Sequence, residues 1–308
     1  MNHPKVSIII LNWNRQFDTL GCLKTLAKIN YPNYDIILVD NGSTDDSVRF
    51  IHSKYPHINI IENDKNLGFA EGNNIGIKYA IEHDADYVLL LNNDTLVERD
   101  FLNYLINTAT ENEFYHVFGP QIRLYPQKNK YWYAGGRFWC WFCSVQLFGR
   151  NQQIGNPNHE TTRDVSFIPG AALMVHKNVI EKIGLLDKNY FCYWEEVDWE
   201  LRMLEKGIKF LYIPHSIIWH KVGKTSGGFS NPINQYYNYR NWLYLGKKLL
   251  PKKYYPTWIL FMILRVFAFE LPYALISLIF LRTNRIRNWF YIFIGTFDFL
   301  KGRMGKKV

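Results

Sequence analysis

The fold class is set by the stretch VSIIILNWN, residues 6–14. Its first six residues form a continuous β-branched and aliphatic run, the pattern of a strand that is buried on both faces. A second run of the same kind, DIILVD, follows at residues 35–40. A helical pattern from about residue 17 to 29 separates the two runs. Strand, helix and strand joined by short links predict a parallel βαβ unit.

The same alternation continues through the next fifty residues. A third strand is predicted at Ile58–Ile61, a helix from about residue 70 to 82, and a fourth strand at Tyr87–Leu91. Ser43 and Asp46 have the spacing of a capping box, which predicts that a helix begins between strands two and three. We therefore predict an α/β fold with a Rossmann-like, mostly parallel sheet flanked by helices, and ligands at the carboxyl ends of the strands.

Polar residues collect at the carboxyl ends of these predicted strands. Asn12 and Asn14 follow the first strand, Asp40 ends the second, and residues 92–94 follow the fourth, with a further polar group at residues 66–74. Any one cluster could serve only as a turn. Four clusters at one edge of a sheet are typical of a nucleotide site. The Gly-x-Gly-x-x-Gly of a dinucleotide-binding enzyme is missing after the first strand, which excludes a Rossmann dehydrogenase.

Composition and charge divide the chain into a body and a tail. The 308 residues are 48% hydrophobic and 20% charged, which provides material for a core and excludes a disordered chain. Four cysteines are too few for a disulfide scaffold and predict a reducing, cytosolic setting, and the N-terminus has no signal-peptide pattern. Residues 247–308 contain 12 Lys and Arg against two acids, whereas residues 1–246 contain 24 against 25. We therefore predict a globular domain at 1–245 and a basic, apolar helical tail at 246–308.

The order of the motifs resembles that of the family 2 glycosyltransferases, inverting enzymes with the GT-A fold, and within them the rhamnosyltransferase-like branch. The matching stretches are Val6–Asn14, Ile37–Ser47, Asn66–Asn74, Leu89–Thr95, Ile168–Met174, Tyr193–Arg202 and His215–Ser226. The resemblance covers roughly residues 5–230. It implies a nucleotide-binding half at about 1–120 and an acceptor half at about 121–245.

The resemblance also implies a site for the donor and a divalent metal. Asp94 ends the sequence LNND, which takes the place of the family's Asp-x-Asp, and this implies that it is a metal ligand together with His220. Mg²⁺ or Mn²⁺ would neutralise the charge that grows as the diphosphate leaves. Asp40 would accept a hydrogen bond from the pyrimidine ring, and the loop at residues 221–226 would close over the diphosphate. The implied nucleotide-sugar-binding residues are Asn12, Asn14, Asp40, Asn66, Gly68, Asn73, Asn92 and Asn93.

The sequence YWEEVDWELR at Tyr193–Arg202 resembles the family's Glu-Asp-x-Asp segment. An inverting transfer needs one carboxylate that takes the proton from the attacking hydroxyl. The resemblance implies that Glu196 is this base, with Glu195 as the alternative. We expect Asp198 to hold a polar partner or the nearby loop, and Trp194 to stack on an acceptor sugar or to lie in the core. The competing interpretation of these acids is an exposed, charged first helical turn.

The expected function is the inverting transfer of a sugar, from dTDP-rhamnose or a UDP-hexose, to a hydroxyl of a growing, lipid-linked surface glycan. Two other classes of protein are the alternatives. A nucleotidyltransferase would have a Gly-rich first loop with Arg or Lys, whereas this chain has NWNR at residues 12–15. A non-catalytic sugar-nucleotide-binding module would be expected to lack the acidic pair or the metal-binding histidine.

The tail predicts contact with an anionic membrane and not with nucleic acid, because its basic residues lie among bulky apolar ones. Thr257–Leu281 is long enough for a transmembrane helix, but it contains Arg265, Glu270 and Pro272. Each charge costs about 2.5–3.5 kcal/mol at the bilayer centre. We therefore expect peripheral or monotopic association of the tail with the cytoplasmic face of the plasma membrane, and the alternative is a helical cap on the body or a homodimer interface. The aromatic insertion at Tyr131–Phe142 is expected to add to an acceptor or membrane face, with a buried hairpin or a dimer contact as the alternative.

Overall fold

The computed structural model describes residues 3–221, 231–270, 272 and 283–307. The strands are β1 (Val6–Asn12), β2 (Tyr34–Asp40), β3 (Asn59–Glu62), β4 (Tyr87–Leu91), β5 (Thr95–Val97), β6 (Tyr115–Leu124), β7 (Tyr131–Tyr133), β8 (Gly136–Trp139), β9 (Ser144–Leu147), β10 (Arg163–Val165), β11 (Ala172–His176) and β12 (Lys209–His220). The helices are α1 (Gln16–Leu26), α2 (Ser47–Lys54), α3 (Gly68–Glu82), α4 (Phe101–Glu111), α5 (Lys177–Ile183), α6 (Glu195–Glu205), α7 (Pro232–Leu249), α8 (Tyr255–Leu264) and α9 (Thr283–Leu300).

One mixed sheet lies at the centre of the molecule, in the order β10-β12-β6-β11-β4-β1-β2-β3. Strands β1 to β4 are parallel neighbours, as the βαβ pattern predicts. Strand β11 lies antiparallel between β4 and β6, and β12 runs parallel to β6. The carboxyl ends of β1, β2, β4 and β12 therefore lie at the same edge of the sheet. The predicted α/β fold with a central sheet and flanking helices is confirmed.

Local sequence explains the first four strands and their helices. Strands β1 and β4 consist almost wholly of buried residues, which is why unbroken apolar runs identify them. Each of the four strands begins and ends within one residue of its predicted bounds. The predicted capping box is wrong: α2 begins at Ser47 after Asp46, without a side-chain cap, because the hydroxyl of Ser43 bonds to Asp40 instead.

The sheet is continuous across the two predicted halves. Strand β6 contains residues 120 and 121, where the nucleotide-binding and acceptor halves were expected to meet. Helix α7 likewise continues through residue 245, the predicted end of the globular domain. It begins at Pro232 because the side chain of Asn231 accepts a hydrogen bond from the amide of Ile233 at 3.1 Å.

The tail helices pack on the body and on each other. Trp258 of α8 lies against Gly246 of α7, where a Cβ atom would collide with the indole ring. Arg265 lies over the rings of Tyr239 and Trp242 at 5.2 and 5.7 Å. The part of Thr257–Leu281 beyond residue 270 falls, except for residue 272, outside the described residues. Within the described parts of the chain, no helix has the length and the apolar character that crossing a membrane requires.

Candidate active site

A buried hydrogen-bond network joins the carboxyl ends of β1, β2 and β4. The amide of Asn12 donates to Oδ1 of Asp40 at 2.7 Å. The hydroxyl of Thr19, on α1, donates to Oδ1 of Asn12 at 2.7 Å and accepts from the amide of Asn93 at 2.9 Å. All four side chains are buried. Three predicted nucleotide-binding residues therefore belong to one network, in which Thr19 links Asn12 to Asn93. Thr19 is not among the residues predicted from the sequence.

Ser43 extends this network towards solvent. Its hydroxyl donates to Oδ1 of Asp40 at 2.6 Å, and its amide donates to Oδ2 of the same carboxylate at 2.8 Å. The backbone amide of Asn14 donates to the Ser43 hydroxyl at 2.9 Å, and the side-chain Oδ1 of Asn14 accepts from the backbone amide of Thr44 at 2.7 Å. An open depression of about 910 Å³ begins at Asp40 and Ser43. It is large enough for a nucleotide-sized ligand.

A second set of contacts fixes the start of α3. The Asn41 amide donates to the carbonyl of Gly68 at 3.0 Å, and Oδ1 of Asn66 accepts from the Gly68 amide at 2.8 Å. Gly68 has a φ of +87°, and a Cβ atom there would collide with the carbonyl oxygen of Phe191. Glycine is needed at this position because the turn before α6 approaches so closely.

Two further predicted nucleotide-binding residues contact their own surroundings. The Asn73 amide donates to the carbonyl of Phe69 at 2.8 Å, within α3. The backbone of Asn92 donates to the carbonyl of Ala171 at 3.0 Å and accepts from the hydroxyl of Thr95 at 2.7 Å. The turn after β4 is thereby joined to the turn before β11.

Asp94 and His220 meet because of strand pairing. Strand β12 is antiparallel to β5, and this register pairs His220 with Thr95, the residue after Asp94. Nε2 of His220 lies 3.0 Å from Oδ1 of Asp94, and both side chains are nearly buried. The ring of Trp132 packs edge-on against the imidazole with centroids 4.9 Å apart. The structure therefore brings the two predicted metal ligands together.

The side chains of Asp94 and His220 have the chemistry of metal ligands, since one is a carboxylate and the other an imidazole. Within the described residues, Asp94 and His220 have no third His, Cys, Asp or Glu that would complete a ligand cluster. Nε2 of His220 and Oδ1 of Asp94, 3.0 Å apart, are a nitrogen and an oxygen atom of the kinds that divalent cations accept as ligands. Nδ1 of His220 is buried and has no hydrogen-bond partner in the described part of the chain. Asp94 and His220 are therefore the residues that would hold such a cation.

Of the predicted diphosphate loop at residues 221–226, the structure describes only Lys221. Lys221 forms an ion pair with Asp18 of α1, with Nζ and Oδ1 2.9 Å apart. Its amide also donates to the carbonyl of Asp94 at 3.0 Å. Residues 222–226, which were expected to close over the diphosphate, lie outside the described residues.

The acids of α6 face the interior of the protein. Glu195, Asp198 and Glu200 are each at most 4% exposed, so the competing interpretation of an exposed, charged turn is wrong. Oε2 of Glu196 is also buried, although the residue as a whole is partly exposed. Oε1 of Glu200 accepts a hydrogen bond from the amide of Ile168 at 2.8 Å. Three glutamates thus lie within two turns of one helix, beside the segment that leads into β11.

Burial dominates the protonation of this group. It raises the pKa of Glu195 well above its usual range, and the charge of Glu196 adds to the rise. Burial also raises the pKa of Glu196, while backbone amides, including that of Gly170, oppose the rise. The pKa of Glu200 is raised well above its usual range by burial, against the hydrogen bond from the Ile168 amide. Burial therefore favours the protonated form of these three carboxyl groups, and carboxyl groups perturbed in this way are common at functional sites.

Asp198 and Trp194 lie next to the glutamates but make different contacts. Asp198 accepts from the hydroxyl of Tyr190 at 3.0 Å, from Nε of Arg202 at 2.8 Å and from Nζ of Lys248 at 2.6 Å. It therefore ties α6 to the turn before it and to α7. Trp194 is half-buried, packs against the core and precedes α6 with a left-handed φ of +75°.

The sequence matches the model described as Glycosyl transferase family 2 over residues 7–184, which is more than half of the chain. The chain is a family 2 glycosyltransferase. This membership agrees with the order of motifs and disfavours both the nucleotidyltransferase and the non-catalytic binding module. The matched region contains the predicted nucleotide-sugar-binding residues and Asp94, and it ends before Glu196 and His220.

Relatives of this glycosyltransferase agree with the rhamnosyltransferase-like branch. The chain is 24% identical to dTDP-rhamnosyl transferase RfbF of Shigella flexneri, with 98% of each chain covered. It is 26% identical to N-acetylglucosaminyl-diphospho-decaprenol L-rhamnosyltransferase of Mycobacterium tuberculosis, over 62% of this chain and 68% of that one. A crystal structure of GalNAc-T7 with UDP, GalNAc and Mn²⁺ has a TM-score of 0.62 at 15% identity. It covers 80% of this chain, which spans about half of that protein, and it shows the shared fold.

Several residues of the site in this glycosyltransferase were not identified from sequence. Thr19 lies in helical register with the buried Cys22, Leu23 and Leu26, and a polar residue on such a face was the available signal. Trp132 was assigned to the aromatic insertion as a whole. Nothing in the local pattern indicates that its ring contacts His220.

Proposed function

We propose that this glycosyltransferase transfers a sugar, with inversion, from a nucleoside-diphosphate sugar to a hydroxyl of a growing, lipid-linked surface glycan. Glu196 is the base, and Asp94 and His220 hold a divalent metal, Mg²⁺ or Mn²⁺. The donor is dTDP-rhamnose or a UDP-hexose. The enzyme works at the cytoplasmic face of the plasma membrane.

One observation carries this proposal: three groups of functional side chains are joined at one edge of the sheet. The buried network of Asn12, Thr19, Asp40 and Asn93 is here called the nucleotide-side network. Its member Asn93 immediately precedes Asp94. The backbone amide of Asn92 donates to the carbonyl of Ala171, and a Cβ atom placed on the neighbouring Gly170 would lie 3.6 Å from the Cβ of Glu196. Nucleotide side, metal pair and carboxylate are therefore contiguous, which is the arrangement that a donor bound across the edge requires.

The carboxylate of Glu196 is suited to proton abstraction. A deprotonated Glu196 accepts the proton of the acceptor hydroxyl while the hydroxyl oxygen forms a bond to the anomeric carbon. The bond from that carbon to the diphosphate oxygen breaks at the same time, and its electron pair leaves with the diphosphate. Glu196 is favoured over Glu195 because it is the more exposed of the two and lies beside Gly170.

Asp94 and His220 would bind the metal through a carboxylate oxygen and a neutral imidazole nitrogen. The chemistry that a divalent ion supplies here is neutralisation of the departing diphosphate. Trp132 restricts the imidazole to the orientation in which Nε2 faces Asp94. Asp40, held by Asn12 and Ser43, presents its carboxylate to the nucleotide side of the same edge.

The relatives support the choice of substrates. The full-length similarity to a protein named dTDP-rhamnosyl transferase favours dTDP-rhamnose as donor. The similarity to an enzyme named for a diphospho-decaprenol acceptor favours a lipid-linked acceptor. The structure that shares the fold contains UDP and Mn²⁺, which supports a pyrimidine nucleotide and a divalent metal.

Exposed apolar residues of the tail support the membrane face. Leu260 and Leu264 of α8 are 57% and 49% exposed, and Phe290 of α9 is 58% exposed. The aromatic insertion packs on α8, because the rings of Phe142 and Phe261 have centroids 5.2 Å apart. Lys252 and Lys253 lie at the start of this surface and are exposed, which suits anionic lipid head groups. The alternative is that a second copy of this chain covers the same apolar surface in a homodimer.

The enzymatic proposal is tested with a panel of sugar nucleotides and a decaprenyl-diphosphate-linked acceptor, by the release of nucleoside diphosphate. Asp94→Ala should lower kcat/KM at least a hundredfold and abolish the response to Mg²⁺ and Mn²⁺, while the melting temperature stays near that of the wild type. The exposed Asp100→Ala is the matched control and should be fully active. An Asp94→Ala enzyme that still responds to metal would contradict the assignment.

The membrane proposal is tested by flotation with vesicles that contain phosphatidylglycerol. The wild type should float at low salt, and Leu260→Asp with Leu264→Asp should remain in the dense fraction. Phe114→Asp, at a residue 81% exposed after α4, controls for the loss of an apolar group elsewhere. A double variant that floats like the wild type would count against this surface as the membrane contact, and one that changes only the oligomeric state would count for the homodimer.

A further inference from the structure

The turn between residues 190 and 194 has an unusual backbone. Phe191, Tyr193 and Trp194 have φ angles of +66°, +68° and +75°, in the left-handed region that glycine favours. Residues with large side chains rarely adopt this conformation and persist in it only where the surroundings hold them. The turn leads directly into α6, where the amide of Asp198 donates to the carbonyl of Trp194 at 2.9 Å. Its conformation therefore determines where the first residues of α6 lie.

One side chain of α7 holds most of this turn. Nδ2 of Asn241 lies 2.8, 2.7 and 2.9 Å from the carbonyl oxygens of Tyr190, Cys192 and Tyr193. Asn241 is fully buried. An amide group has two N–H donors, so three carbonyl oxygens around it use its capacity completely. The two hydrogens of one asparagine thus fix the turn immediately before the candidate base.

Arg240 sets the orientation of that amide. Its Nε donates to Oδ1 of Asn241 at 2.9 Å, and arginine cannot accept a hydrogen bond. The oxygen of Asn241 must therefore face Arg240, and the NH₂ group must face the turn. Arg240 is itself fully buried and donates from Nη2 to the carbonyl of Tyr190 at 2.9 Å.

The same arginine binds the end of the chain. Its Nη1 donates to the carbonyl of Gly305 at 2.6 Å. The amide of Gly305 donates to the carbonyl of Asn189 at 2.8 Å. Gly305 therefore contacts the residue before the turn directly and is linked to the turn itself through Arg240.

We propose that Asn241, oriented by Arg240, is a positioning residue for the transfer reaction. It holds the strained turn at residues 190–194, and through that turn it fixes the carboxylate of Glu196 relative to the donor. This inference rests on the proposed role of Glu196. Displacement of a reacting group by about 1 Å can lower a rate about a hundredfold, so loss of this support should act on turnover rather than on donor binding.

The experiment compares two substitutions at Asn241 with a neighbour on the same helix. Asn241→Ala removes the side chain. Asn241→Asp keeps its size and its contact with Arg240 but has no N–H to offer the three carbonyls. Asn238→Ala is the matched control, because the Asn238 amide donates only to the carbonyl of Asn234 among its described contacts. Glu196→Gln is measured in parallel.

The measurements are kcat, KM for the donor, calorimetric affinity for dTDP and UDP, and hydrogen exchange of residues 189–198. Both Asn241 variants should lower kcat at least tenfold, leave donor KM and nucleotide affinity within about twofold, and exchange faster in this segment. Asn238→Ala should match the wild type.

Three results would overturn the inference. The first is a folded Asn241→Asp enzyme whose kcat lies within about twofold of the control. The second is a loss of kcat without faster exchange at residues 189–198. The third is failure of both Asn241 variants to fold, which would assign the residue to stability alone. An active Glu196→Gln enzyme would instead refute the proposed base, and the two failures are thereby distinguished.

Discussion

Replacing Thr19 by valine keeps the shape of the side chain and removes one hydroxyl from the centre of the nucleotide-side network. That hydroxyl donates to Asn12 at 2.7 Å and accepts from Asn93 at 2.9 Å, and all three residues are buried. A buried polar group left without its partner costs about 1–3 kcal/mol. With two such groups we expect the free energy of unfolding to fall by about 2–6 kcal/mol. For a chain of 308 residues that lowers the melting temperature by about 3–9 °C.

The same substitution should also weaken nucleotide binding. Asn12 is held between Thr19 and Asp40, so its release removes a fixed partner from the Asp40 carboxylate. We expect the affinity for dTDP, measured by titration calorimetry, to fall about tenfold, which corresponds to about 1.4 kcal/mol. Thr110→Val is the control, because Thr110 is exposed and its hydroxyl bonds within α4.

Two results would refute this reasoning separately. A melting temperature within about 1 °C of the wild type would mean that the buried network does not stabilise the fold. A lowered melting temperature with unchanged dTDP and UDP affinity would mean that Asn12 and Asp40 lie outside the nucleotide site.

Three further predictions concern two glutamates of α6 and the contact between Gly68, at the start of α3, and the turn before α6. A base acts when it is deprotonated, and burial raises the pKa of Glu196, so kcat should begin to fall with decreasing pH while the pH is still above the ordinary pKa of a glutamate. Glu196→Gln should lower kcat at least a hundredfold at every pH. Burial raises the pKa of Glu200, so folding stability should decrease as the pH rises from the pKa of Glu200 in the unfolded chain to its pKa in the folded protein. Glu200→Gln can still accept the hydrogen bond from the amide of Ile168. This variant should melt at a higher temperature than the wild type at pH 8 and lose that advantage towards pH 5. Gly68→Ala should lower the melting temperature by several degrees, since the φ of +87° and the carbonyl of Phe191 both oppose a Cβ atom; a variant as stable as the wild type would show that the turn yields.

The parallel half of the fold could be predicted because its information is local. Strands β1, β2 and β4 are buried apolar runs, and their polar ends follow directly in sequence. The contact between Asp94 and His220 depends on the pairing of β12 with β5, more than a hundred residues apart in the chain. No local pattern encodes that register, and only the resemblance to a family indicated it.

Side chains that take part in networks were harder to predict than those at strand ends. Asp198 is identified by its motif, but its partner Lys248 belongs to a tail that composition assigned to membranes. Arg265 was expected to be a charge within an apolar segment, and it lies over Tyr239 and Trp242 instead. In both cases the partner lies on α7, whose packing on the body follows from tertiary contacts and not from hydrophobic periodicity.

The continuity of the central sheet limits how this enzyme changes shape during turnover. Strand β11 is hydrogen-bonded to β4 on one side and to β6 on the other, so the donor-side and acceptor-side strands belong to one ladder. A hinge between them would have to break those bonds in every cycle. We therefore expect substrates to enter and products to leave through movements of the loops at the edge of the sheet, with release set by loop opening on the microsecond-to-millisecond scale. Engineering of turnover should accordingly be directed at loop length and loop sequence, and rigidifying substitutions in the sheet should leave kcat unchanged.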